Sequence, residues 1–132
     1  MWSGRSSTNA FAAICREMCD QDIRFGSQNW PDGTGICPAD NKTADRVRRE
    51  CDLLLRSGQG SWRALVAEEV AEAFAESDPD RLMLELIQVG GLVMQWVEAL
   101  LLRRAGLLPP PPVGHRDANL LSAVQTILED SC

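Results

Sequence analysis

Residues 65–76 read LVAEEVAEAFAE, an apolar run into which Glu68, Glu69, Glu72 and Glu76 are set at helical intervals. On a helix, Glu69, Glu72 and Glu76 fall on one side. Twelve residues separate Glu72 from Glu85, which opens a second, strongly apolar helix able to pack against the first. Carboxylates gathered on an inner face are costly unless a cation neutralises them. Carboxylate oxygens from facing helices are what a hard divalent ion such as Mg²⁺ binds. The pattern predicts helices joined by an acidic seam, with metal-dependent phosphate chemistry as the first functional expectation. Charge runs are also common as solvated helix faces, and the spacing alone leaves that reading open.

The chain of 132 residues fits one domain, and its 45% hydrophobic content suffices for a core. A net charge of −6 repels nucleic-acid backbones, and no Lys/Arg stripe is interleaved with aromatics. DNA and RNA polymers are therefore not expected partners, whereas a free nucleotide is, because metal can meet its charge. The five cysteines are odd in number, and the N-terminal residues lack the basic, apolar and small-residue regions of a signal peptide. Free thiols in a reducing cytoplasm are the expectation. Cys15 and Cys19, with Cys37 or His115, could surround zinc, but neither a CxxC knuckle nor a His pair supports it. Glu85, Gln88, Gln95 and Glu98 break the apolar run of residues 82–102, so a protein helix is expected there and not a membrane span.

No strand-like alternation appears anywhere, and the periodicity predicts an all-α antiparallel bundle of four to five helices. The first helix starts at Thr8 or Asn9, carries Phe11, Ile14, Cys15, Met18 and Cys19 inward, and ends before Gly26. The stretch from Phe25 to Pro38 is dense in Gly, Pro, Asn and Asp, and a loop of this length is a second candidate site. A helix from Ala39 or Lys42 to Arg56 turns Val47, Cys51, Leu54 and Leu55 inward and Arg46, Arg48 and Arg49 mostly outward. Ser61 caps the next, from Trp62 to Glu76, with Leu65, Val66, Val70, Ala73 and Phe74 inside. Pro79 starts a fourth helix that runs to Arg104. Apolar residues occupy most of its circumference, so it belongs at the centre of a bundle or across a subunit interface, and a homodimer or higher homo-oligomer is expected. Residues 1–106 form the helical domain, 107–115 a Pro-rich spacer, and 116–132 a C-terminal amphipathic helix.

The order Gln21-Asp22, then FGSQNWPDG from Phe25, then EExxE at Glu68, Glu69 and Glu72, then ELIQV from Glu85, resembles the MazG-like all-α nucleoside triphosphate pyrophosphohydrolases. The likeness covers residues 15–104 and is nearest to small MazG-like proteins of bacteria and phages. It implies a hydrolase that splits a nucleoside triphosphate into monophosphate and pyrophosphate with Mg²⁺, or Mn²⁺, as cofactor. It also implies that Glu69, Glu72, Glu85 and Gln88 surround the metal. Gln88 stands where the signature ExxD has Asp, and an amide oxygen ligates without bringing charge. Trp30 stands where His is expected after Gln-Asn.

Within that reading, Glu68 orients or deprotonates the attacking water, and Lys42, Arg46 or Arg49 meets the phosphates. Gln28, Asn29 and Trp30 stack on and hydrogen-bond the base. Two other readings are a nucleotide binder that has lost catalysis and a helical interaction module working through its terminal helix.

Overall fold

The structure, a computed structural model, describes residues 4–111, with side chains described from Asn9 onward. The expected terminal helix of residues 116–132 and His115 lie outside them. The described residues form four α-helices and no strand: α1 (Gly4–Phe25), α2 (Pro38–Arg56), α3 (Trp62–Ala75) and α4 (Pro79–Arg104). The chain divides into two compact units. One holds α1, the residues up to Asp32 and the stretch from Val93; the other runs from Gly33 to Leu92 and holds α2, α3 and the first half of α4.

Local chemistry sets the helix ends. Gly26 has φ of 69°, and its N–H donates to the Asp22 carbonyl at 2.8 Å, closing α1 as a left-handed cap. Pro38 opens α2, where a missing N–H costs nothing. Ser61 Oγ accepts from the Ala64 N–H at 3.1 Å to cap α3. The predicted boundaries hold within a few residues, except that α1 begins at Gly4, earlier than the predicted cap.

In the second unit, α2 and α3 pack through Ala44, Val47 and Cys51 on one side and Ala64, Ala67 and Ala71 on the other. Three alanines at i, i+3 and i+7 form a flat stripe that lets the α2 backbone approach closely. This corrects the expected core of α3. Leu65, Val66 and Val70 are only half-buried, and Phe74 is 40% exposed, because the small residues occupy the facing side.

The segment before α2 is pinned by Gly35. Its N–H donates to the Phe74 carbonyl at 2.9 Å, and a Cβ there would stand 2.5 Å from Ser77 Cα. Only glycine suits that approach at a φ of 70°.

Helix α4 is not buried at a bundle centre. Met83, Leu84, Leu86 and Ile87 are each more than half exposed, and only 6% of its most apolar window is buried. It is long and apolar enough to cross a membrane by length and composition. Leu82 and Ala99 are its buried residues, and residues 92–94, 96–98 and 101–103 are half-buried. Among the described cysteines, Cys15, Cys19 and Cys51 are free thiols, whereas Cys37 is disulfide-bonded, against the expectation of free thiols throughout.

Candidate metal centre

The alanine stripe that docks α3 on α2 decides where the glutamates of α3 point. Glu72 lies about 100° round the helix from Ala71 and Glu69 about 160°, so both point away from the alanine interface. Helix α4 starts at Pro79 behind a polar cap in which Asp78 Oδ1 accepts from the Asp80 N–H at 3.4 Å. Its next turns bring Glu85 to the α3 flank. One carboxylate oxygen each of Glu69, Glu72 and Glu85 lies within 4.8 Å of the others.

The electrostatics of this trio are strained. Burial, then the neighbouring Glu72 and Glu85, push the Glu69 carboxyl up to about 7. Burial and Glu72 raise Glu85 in the same direction. Oε2 of Glu69 and Oε2 of Glu85 are buried with no hydrogen-bond partner. Glu72 meets a cation: its Oε1 accepts from Arg48 Nε at 3.0 Å and stands 2.9 Å from Nη2 in a salt bridge. That bond, reinforced by the opposite charge of Glu72, raises the Arg48 pKa. Asp45 stands 3.7 Å from Arg48 Nη1. Asn41, Asp45, Arg48, Glu72, Glu76 and Glu85 line a polar cleft of about 170 Å³.

The donors fit a hard divalent ion. They are carboxylate oxygens of three residues, and a cation among them would relieve the burial and like-charge repulsion that raise Glu69 and Glu85.

The other residues singled out in the sequence are distributed as follows. Burial, then the neighbouring Glu68, pushes the thiol of the fully buried Cys51 up to about 12, so Glu68 lies on the α2 side of α3. Glu76 turns back to accept the Asp78 N–H at 3.0 Å. Gln88 is exposed on α4, one turn beyond Glu85, and Lys42 is exposed on α2. Arg46 is two residues from Arg48 and so about 200° round α2, away from the cleft residues. Its Nε and Nη2 are buried without an acceptor.

Gln28, Asn29 and Trp30 belong to the other unit. With Phe25 and Ser27 they line a recess of about 350 Å³. The Trp30 Nε1–H donates to Gln28 Oε1 at 3.0 Å, and Trp30 is 76% exposed.

Sequence reasoning missed Arg48, which it turned outward. The signal was present: Asn41, Asp45 and Arg48 recur at i, i+4 and i+7 on one flank of α2. Neither a known protein family, nor a curated protein, nor a solved structure matches the chain.

Proposed function

We propose that this chain is a MazG-like nucleoside triphosphate pyrophosphohydrolase, acting with Mg²⁺ or Mn²⁺ to release a nucleoside monophosphate and pyrophosphate. The observation that carries the reading is the meeting of Glu69, Glu72 and Glu85 from two helices within 4.8 Å, with one oxygen each of Glu69 and Glu85 buried and without a hydrogen-bond partner among the described residues. These three residues would hold the ion. Bound there, it supplies the positive charge that a triphosphate needs before its α–β bridge is cleaved.

The chain's own side chains divide the remaining work. Arg48 holds Glu72 by a hydrogen bond and a salt bridge to one oxygen, which sets the carboxylate's orientation. Side-chain exposure of 50% on Arg48 leaves the guanidinium open to an incoming phosphate from the solvent side. Glu68 is adjacent to the ligand Glu69 but outside the trio and beside Cys51, so the water-orienting role expected of it is not carried into this reading. Gln28, Asn29 and Trp30 offer an aromatic face and amides suited to a nucleobase.

The test is a thermal-shift and pyrophosphate-release series over nucleoside triphosphates with and without Mg²⁺. Metal-dependent stabilisation and turnover are expected in the parent and lost in Glu72→Gln. Indifference of the parent to Mg²⁺, in both melting temperature and nucleotide binding, defeats the assignment. A second reading, nucleotide binding without turnover, is favoured by one feature: the position after the third carboxylate holds Gln88, which is exposed and neutral. Binding with no pyrophosphate release selects it.

A further inference from the structure

Cys15, Cys19 and Cys51 are free thiols, whereas Cys37 is disulfide-bonded. The sequence holds five cysteines, so elimination leaves Cys132, outside the described residues, as the partner of Cys37. Cys37 stands at the N-cap of α2, and its side chain makes no capping hydrogen bond, so capping does not account for a cysteine there. The position is held from both sides: Gly35 is tied to the Phe74 carbonyl, and Pro38 opens the helix. Cys37, Asn41, Ala44 and Arg48 recur at i, i+4, i+7 and i+11. The last three line the acidic cleft, so Cys37 lies one turn before it on the same flank of α2.

The stretch leading to Cys132 carries Leu120, Leu121, Val124, Ile127 and Leu128 at helical spacing, a face that needs cover. Beside Cys37, Ile36 is 75% exposed. We propose that residues 116–132 are a redox-sensitive strap, closed by a Cys37–Cys132 disulfide that seats Ile127 and Leu128 on Ile36 at the α2 end of the cleft. Closure needs an oxidant, and a small-molecule disulfide such as oxidised glutathione supplies it by exchange. A helix N-terminus favours the thiolate, which makes Cys37 the attacking group. Its sulfur bonds to one sulfur of the donor and expels the other as a thiol. Cys132 then attacks Cys37 Sγ in that mixed disulfide and expels the second thiol. Two electrons and two protons thus pass from the cysteines to the donor. Neither cysteine is among the proposed metal ligands, so the strap does not depend on the metal chemistry.

Peptide mapping without reduction tests the link on the full chain treated with oxidised glutathione. Trypsin releases Cys37 in residues 25–42 and Cys132 in residues 117–132, and neither peptide holds another cysteine. The two should be recovered joined, and separate after dithiothreitol. The oxidised parent should melt about 10 °C above the reduced parent, because the link closes most of the chain into one loop. Amide hydrogen exchange at residues 36–41 should slow several-fold on oxidation. Cys132→Ser should lose both differences while melting with the reduced parent. Ile127→Asp should keep the link and lose the slowed exchange. Cys37 joined to Cys15, Cys19, Cys51 or the Cys37 of a second copy overturns the proposal, as does a protein that forms no link. So does a Cys37–Cys132 link that leaves exchange at residues 36–41 unchanged, or slowed exchange that survives Ile127→Asp, since the segment would then be tethered without docking there.

Discussion

Glu69 keeps a proton up to about pH 7 because its side chain is buried beside Glu72 and Glu85. An unfolded glutamate releases that proton near 4.5, so between these values the folded state binds more protons than the unfolded one. Stability therefore falls as pH rises through this window, and the penalty is absent below it, where both states are protonated. Metal-free protein should melt at a lower temperature at pH 8 than at pH 5, and Glu69→Gln should flatten that slope in thermal denaturation followed by circular dichroism. Mg²⁺ should stabilise most at the alkaline end, where no proton competes for the site. Restoring a fourth carboxylate by Gln88→Asp should raise Mg²⁺ affinity and any pyrophosphate release, measured by calorimetric titration and a phosphate assay. Unchanged metal affinity would remove Gln88 from the rim of the site. The glutamates of the trio were legible in the sequence because the helical period alone puts Glu69 and Glu72 on one flank. Arg48 was not, since whether a polar residue at the edge of α2 faces water or a carboxylate depends on where α3 lies.

The helices themselves were set by short-range signals. Pro38, Ser61 and Pro79 mark starts, and Gly26 and Gly58 take the positive φ that ends α1 and α2. Core size was misread on α3 for a physical reason: hydrophobicity favours Leu65, Val66 and Phe74, but the depth of burial follows interhelix distance, and alanines allow the closest approach. Ala67→Leu should cost about 1–3 kcal/mol by overpacking, despite adding an apolar side chain. Gly35→Ala should cost about 2–3 kcal/mol, because a left-handed backbone and contact with the Ser77 backbone add together. Urea denaturation measures both; a neutral Gly35→Ala would mean that the loop before α2 moves freely off α3. That glycine's role lay beyond sequence reading, since a glycine in a loop does not announce which backbone it touches.

At the scale of the molecule, metal binding and stability are one equilibrium. If the trio binds Mg²⁺, ion at a hundredfold excess over its Kd should stabilise the fold by about 2.7 kcal/mol, and a chelator should remove that gain in a thermal melt. Trp30→Ala should leave that gain intact while weakening nucleoside binding, since its recess lies in the unit that does not hold the trio. Equal loss of both would contradict separate roles. The sequence by itself determined the helical class, the helix limits and the acidic flank, because hydrogen-bonded turns, caps and a 3.6-residue period are local properties. Only the tertiary structure decided that alanines form the α2–α3 contact, that Glu85 completes a trio with Glu69 and Glu72, that Arg48 pairs with Glu72, and that Met83, Leu84, Leu86 and Ile87 of α4 stay exposed. Each of these depends on which residues distant in the chain come within a few ångströms of one another, a quantity that periodicity in one segment does not contain.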